Sequence, residues 1–403
     1  MARAGGLPLP TITDDRALGA ADIQRSLRFN DDDEPILTRT PSSAGNRKTW
    51  TYSCWVKKSR NDTYQGLLAI GTVDGSEDFF GFESSNRLYM RYDTGSDVKS
   101  SALFRDLNGW YHIVVVADTT QSQSSSTASD SRIRFYVNGE QMTDFHSDTS
   151  MPSQNFDFRI NNNVLHYIGE YPRINSHLDG YLAEVNFVDG QALDASYFGF
   201  TDGQTGIWMP KRYEGTYGTN GFYLDFSDNS STTTLGIDKS PNGNDWTLNN
   251  FSVSAGAGND SFTYTPTNQI PTFHSLYTSQ QGGGSVTYSE GDLKIATSAS
   301  GSNYARYPFA MSSPHLAVNS GKWYVEFKCN STKCAFGVCN TGQLDSDMTN
   351  NPYGAAARTS IIYTSEGQLR GNNSDIRNGN GAFTTNDIIG IALDLDNMKI
   401  YFH

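Results

Sequence analysis

Residues 109–142 constrain the fold most. They read GWYHIVVVAD, then a polar run, then SRIRFYVNGEQM. Residues 110–117 are apolar at nearly every position, the pattern of a strand buried on both faces. In the second piece Ile133, Phe135 and Val137 alternate with Arg132, Arg134 and Tyr136, the pattern of a strand with one buried face. Asn138-Gly139 follows. These two residues tolerate positive φ, the strongest short-range signal for a tight hairpin, and the turn places Phe135 opposite Met142. Residues 119–131 between the pieces are rich in Ser, Thr and Gln and read as an exposed loop. A sheet centred on this pair organises the first half of the chain, with Val114, Phe135 and Val185 expected in its core.

Short strands recur around it. SLRFN, EPILTRT, GLLAIG, FFGFE and RLYMRYD are separated by Gly, Asn and Asp. TWTYSCWVKK puts Trp50, Tyr52 and Cys54 on one face and Thr51, Ser53 and Trp55 on the other. In YLAEVNF, Tyr181, Ala183, Val185 and Phe187 are expected to share a face. Only residues 192–197 suggest a helical turn. This spacing predicts an all-β chain. With 403 residues two domains are expected, and 38 glycines and 12% aromatics suit strands joined by turns.

The formal net charge of −13 argues against nucleic acid and anionic membrane as partners, since both need a basic surface. No run approaches the roughly 18 apolar residues of a membrane span. The first residues lack the apolar core of a signal peptide, so synthesis and assembly in a cytoplasm is expected. Four cysteines in so long a chain are not a disulfide framework. Cys329 and Cys334, flanking four residues, are expected to face each other in a hairpin, as two small core thiols rather than a disulfide.

Four segments are expected. Residues 1–24 form an extended arm, with Gly5-Gly6, Pro8 and Pro10 opposing helix and central strand. On composition it is a mobile tail. As an anchor it would order only against another chain, through Leu7, Leu9, Ile12, Leu18 and Ile23. Residues 25–205 form the first antiparallel sandwich. Residues 206–270 are a turn-rich connector packed on it. Residues 271–403 form a second sandwich.

Several motifs carry resemblances. The order SLRFN, TWTYSCWVKK, GWYHIVVVAD, RIRFYVNGEQM, HLDGYLAEVNFVDGQAL resembles the laminin-G/concanavalin A-like jelly roll. GKWYVEFKC, AFGVC and DIIGIALDLDNMKIYFH resemble the SPRY domain, with a C-terminus that reads as incomplete. Taken with GIWMPKRYEGTYGTNGFYLDFSDNSS and SPNGNDWTLNNFS, the chain from Ser26 onward resembles structural proteins of tailed phages that infect marine cyanobacteria. The resemblance implies an exposed virion protein, a tail fibre or a head-bound fibre or decoration, assembled in the host cytoplasm. Its arm would bind other virion proteins, and its sandwiches, expected as a homo-oligomer, would meet host-surface glycans. A purely architectural component and a secreted glycan hydrolase are the alternatives.

Glycan binding needs rings and polar groups on exposed loops. Tyr171, Arg173 and His177 in one loop and Tyr213 and Tyr217 in another are the candidates. A calcium ion, the one candidate cofactor, would draw on Asp74, Glu77 and Asp78, or on Asp238 and Asp245. No catalytic residue is expected. Glucanase relatives of this fold carry E-x-D-x-(x)-E, whereas Glu184 to Asp189 here has Asn186 at the central position and no final Glu.

Overall fold

The computed structural model describes residues 21–71, 77–107, 109–122, 131–203, 206–254, 258–268, 285–289, 294–298, 322–332, 334–339, 360–371, 374–377 and 381–403. The chain divides into two compact units at Gln269/Ile270.

The strands of the first unit begin with β1 (Ser26–Phe29), β2 (Ile36–Arg39), β3 (Thr49–Lys58), β4 (Gln65–Ile70), β5 (Phe79–Phe82), β6 (Leu88–Tyr92) and β7 (Ser96–Lys99). They continue with β8 (Tyr111–Asp118), β9 (Ile133–Val137), β10 (Glu140–Gln141), β11 (His166–Ile168), β12 (Glu170–Tyr171), β13 (Ser176–His177) and β14 (Gly180–Asp189). The last are β15 (Gly199–Thr201), β16 (Trp208–Pro210), β17 (Phe222–Leu224), β18 (Thr247–Asn249) and β19 (Ser261–Phe262). One sheet has the order β10-β9-β8-β3-β14-β1-β19, with β17 also on β14; the other has β18-β2-β11-β4-β5-β6-β7. The pairings between these strands are antiparallel. Asn138 and Gly139 both have positive φ, and the Met142 amide donates to the Phe135 carbonyl.

The main core lies between the two sheets, where Trp50, Tyr52, Phe80, Val115, Phe135 and Val185 are fully buried. Strand β8 explains why its sequence is apolar on both sides. Ile113, Val115 and Ala117 enter this core, while Val114 and Val116 face outward. There they are covered by a third layer, in which Leu193, Phe198, Tyr213, Tyr217 and Tyr223 pack with Tyr136 and Val188. The layer is pinned by Trp208, whose Nε1–H donates to His112 Nδ1 at 3.0 Å. His112 Nε2 then meets Ser53 Oγ at 2.9 Å, and burial pushes the imidazole down to about 3. Because both faces of β8 are covered, Val114→Ala and Val115→Ala are expected to cost similar stability, about 1.5–3 kcal/mol each, in urea unfolding. A negligible cost for Val114→Ala alone would remove the third layer from this account.

Strand β14 departs from the expected alternation. A bulge between Ala183 and Asn186 puts Glu184 at φ 51°. Leu182, Val185 and Phe187 therefore face the main core, and Tyr181 does not share their face. Tyr181 packs instead against Tyr264 and Trp110. The helical turn expected at 192–197 is a 3-10 turn, Ala195–Tyr197, capped by Asp194, which accepts from the Ser196 amide.

Of the arm, residues 1–20 lie outside the described residues. Ile23, expected to await another chain, is already buried in its own, and its amide donates to Thr267 Oγ1 at 3.0 Å.

Among the described residues the second unit has three sets of paired strands, with antiparallel pairing in the two larger ones. They are Lys322–Lys328 with Ile388–Asp394 and Lys399–Phe402; Ala335–Cys339 with Ser360–Thr364, Leu369–Gly371 and Ser374–Arg377; and Ser285–Ser289 with Lys294–Ser298. Cys329, Phe383 and Ile389 form a small core. Cys329 and Cys334 are free thiols. The strands beside them do not form the expected hairpin, because Lys322–Lys328 pairs with Ile388–Asp394 while Ala335–Cys339 pairs with Ser360–Thr364, yet the two thiols do meet, both donating to the Ser331 carbonyl.

Candidate functional site

The outer face of the second sheet gathers rings and charges. Along β5 and β6, Phe80, Phe82, Leu88 and Met90 turn inward, so Phe79, Tyr89 and Arg91 turn outward. Ala69 of β4 and Tyr167 of β11 join them, with Tyr64 and Tyr171 alongside. Phe79 and Tyr171 lie 4.1 Å apart by ring centroids, and Tyr64 lies 5.5 Å from Tyr171 and 6.1 Å from Tyr89. Tyr64 and Tyr167 are only half-buried and present ring surface to solvent.

A polar network borders the rings. Glu77 is buried, and its Oε1 accepts from Arg91 Nε, Arg173 Nη1 and Tyr171 Oη. Arg91 Nη1 also reaches Tyr89 Oη at 3.1 Å and Asp97 Oδ1 at 3.3 Å, while Tyr89 Oη donates to Asp97 at 2.8 Å. Lys99 Nζ lies 3.5 Å from Asp97, 3.7 Å from Glu83 and 5.3 Å from the Tyr89 ring centre. Burial raises the Tyr89 and Tyr171 hydroxyls, and the neighbouring carboxylates raise them further. These tyrosines stay neutral and act as fixed donors. Half-buried rings beside held donors and acceptors match the chemistry of a polyhydroxylated ligand, which offers C–H faces and hydroxyls.

The residues expected to bind glycan are placed differently. Tyr171 and Arg173 do meet, at Glu77, but Tyr171 is buried among Phe79 and Tyr64 rather than exposed. Arg173 keeps 47% of its side chain exposed. His177 is half-buried, neither ring nitrogen has a hydrogen-bond partner, and desolvation lowers its pKa. Tyr213 and Tyr217 are buried in the third layer; their hydroxyls donate to the Thr216 carbonyl and to Asn186 Oδ1. The loops that carry them fold back over apolar surface, which covers the rings.

The described carboxylates of the acidic loops are engaged in ways that do not fit a calcium ion. Asp74 lies outside the described residues. Glu77 faces two guanidinium groups, which would repel a divalent cation. Asp78 Oδ2 accepts from the Ile160 amide at 2.8 Å and from the Arg159 amide, and burial pushes the carboxyl up to about 6. Asp238 accepts from the amides of Tyr223, Ser240 and Asn244, and Asp245 accepts from that of Asp238. Among the described residues no group of three or more His, Cys, Asp and Glu is placed to hold a metal.

Glu184 and Asp189 serve separate networks. Glu184 Oε2 accepts from Tyr223 Oη at 2.6 Å beneath the third layer. Asp189 accepts from the Asn46 amide, Asn161 Nδ2 and the Asn220 amide. Burial pushes Glu184 up to about 7, with Asp225 adding to the shift and Tyr223 and Arg212 opposing it. The folded state therefore holds a proton on Glu184 that the unfolded chain releases near pH 4.5. This contributes stability below that pH, which is lost as pH rises through about 7. Glu184→Gln is expected to flatten the fall in unfolding free energy between pH 4.5 and 7, an effect on the order of 3 kcal/mol. An unchanged pH profile would show that Glu184 is ionised throughout.

Residues 31–196 match the family model of the concanavalin A-like lectin/glucanases superfamily, Laminin_G_3. This stretch is therefore similar to the concanavalin A-like lectin/glucanase domains. It contains the aromatic and charged face but not the whole third layer. No curated protein matches the chain. Solved structures with a similar fold include a heptameric SAP-like pentraxin from Limulus polyphemus, at 15% identity and TM-score 0.32, over 44% of this chain and 81% of that one. Mouse laminin alpha1 domains LG4-5 align at 14% identity and TM-score 0.29, over 43% and 44% of the two chains. The CBM40 of a Ruminococcus gnavus sialidase, bound to sialyllactose, aligns at 11% and 0.27, over 40% and 89%. Among the described residues no helix is long and apolar enough to cross a membrane.

The sequence reading missed Tyr64, Tyr89, Arg91, Asp97 and Lys99. Their signal was present: in RLYMRYD and SDVK the residues facing away from Leu88, Met90 and Val98 are aromatic or charged.

Proposed function

We propose that this chain is a binding protein that presents its concanavalin A-like domain to host-surface glycans, as an exposed structural protein of a tailed phage virion assembled in the host cytoplasm. The observation that carries the binding reading is the outer face of the second sheet, where half-buried Tyr64 lies against Tyr89 and its Arg91–Asp97–Lys99 network, with half-buried Tyr167 packed on the same aromatic cluster. The virion reading rests on the sequence resemblance from Ser26 onward. In it, residues 1–24 join other virion proteins, the second unit takes a SPRY-like role, and the chain assembles as a homo-oligomer. Binding rather than hydrolysis is supported by the separate engagement of Glu184 and Asp189.

The purified chain is expected to give discrete positives on a glycan array. Tyr167→Ala and Lys99→Ala should each weaken the strongest of them about tenfold or more in calorimetry, as loss of a ring contact or charged hydrogen bond does. Signals indifferent to both changes would move the ligand off this face. The burial of Phe79, Tyr89 and Tyr171 favours a second reading, an architectural virion component without a receptor. It predicts an empty array together with the chain's peptides in purified particles. Absence from particles would overturn both virion readings.

A further inference from the structure

Lys58, at the end of β3, is fully buried, with its ammonium 4.8 Å from the centre of the Phe82 ring. Its Nζ lies 2.9 Å from Asn61 Oδ1, 3.0 Å from Asn86 Oδ1 and 2.9 Å from the Phe104 carbonyl. Asn86 is buried in the turn between β5 and β6. Its side chain is gripped at both ends by Asp62. The Asp62 amide donates to Asn86 Oδ1 at 3.1 Å, and Asn86 Nδ2 donates to Asp62 Oδ1 at 3.0 Å. An amine, a carboxamide and a carboxylate therefore converge.

We propose that Lys58 and Asn86 form an intramolecular isopeptide bond, with Asp62 as the proton carrier. The neutral Lys58 amine attacks Asn86 Cγ, and the C–N bond forms as negative charge develops on Oδ1. The Asp62 amide N–H already points at that oxygen and stabilises the charge. The Asp62 carboxylate takes the proton lost by the new C–N nitrogen and delivers it to Nδ2. The old C–N bond then breaks and ammonia leaves. One amine and one carboxamide become one secondary amide and one ammonia, with no redox partner and no cofactor.

The surroundings supply what the step needs. Burial pushes Lys58 down to about 7, although Asp62 opposes the shift, so a substantial share of the amine is neutral at physiological pH. Asn61 is not the acceptor, because its Nδ2 donates to the Arg105 carbonyl at 3.0 Å, whereas it is Asn86 Nδ2 that donates to the Asp62 carboxylate. The bond would join β3 of the first sheet to the β5–β6 turn of the second, a covalent tie across the sandwich.

Intact-mass spectrometry of the denatured full chain, after incubation of the folded protein at pH 8, tests this. The wild type is expected about 17 Da below its sequence mass, the loss of one ammonia in forming the amide. Tryptic digestion should give one branched peptide joining Lys58 to Asn86, with no cleavage after Lys58. Lys58→Arg and Asn86→Ala should return to their sequence masses. Asp62→Asn should slow the mass loss roughly 100-fold, the scale of lost acid–base catalysis. Wild-type protein at full mass, cleaved normally after Lys58, overturns the proposal without recourse to any variant. So does a branch that maps to Asn61.

Discussion

Glu77→Ala is expected to lower the unfolding free energy by about 3 kcal/mol and to abolish glycan binding on the outer face. The carboxylate is buried to 3% exposure and holds Arg91, Arg173 and Tyr171 together through one oxygen. Breaking a buried ion pair leaves charge without compensation, which is the larger part of the cost. Arg173 is half-exposed and Arg91 retains Asp97, so both relax partly, which keeps the loss at the low end. Chemical denaturation and calorimetry on one preparation would check both effects. Lost binding with unchanged stability would mean that Glu77 contacts ligand directly rather than organising the face.

Asp189→Ala is expected to cost about 2–3 kcal/mol, because it strands the donors of buried Asn161 and Asn220 and releases the more exposed Asn46 amide. These donors are the Asn46 amide, Asn161 Nδ2 and the Asn220 amide, from three loops at one end of the sandwich. Asp189→Asn keeps one acceptor oxygen and should cost about half as much. Neither change should alter glycan affinity measured below the unfolding range. Denaturant midpoints of the two variants decide this, and a midpoint unchanged in Asp189→Ala would remove the network from the stability account. The position that lines up with a glucanase acid is thereby assigned to fastening loops.

The sandwich was legible because period-two alternation is a local property. Residues 133–137 and 50–56 face as their alternation requires, and the Asn138-Gly139 turn declares itself. The face of β14 was not legible. Its bulge puts Glu184, a residue that rarely adopts positive φ, in the left-handed region with no glycine to mark it. The exposure of Tyr171, Tyr213 and Tyr217 was misjudged for a different reason. Their neighbours in sequence are polar, and burial comes from segments distant in the chain. A clue did exist: Val114 and Val116 needed a cover that two sheets alone do not supply. The candidate face stayed hidden because Arg91, Asp97 and Lys99 look like ordinary solvated charges until two paired strands set them side by side.

The third layer has a consequence for how this domain travels between proteins. The family match ends at residue 196, yet Phe198, Tyr213, Tyr217 and Tyr223 lie beyond it and close over Val114, Val116 and Val188. Strand β17, which pairs with β14, lies beyond it too. A segment cut or recombined at the family boundary would carry an apolar sheet face with most of its aromatic cover missing, prone to self-association. The stretch needed to fold with this face covered is therefore longer than the family match. Shuffled descendants should keep residues 197–224 joined to the strands they shelter.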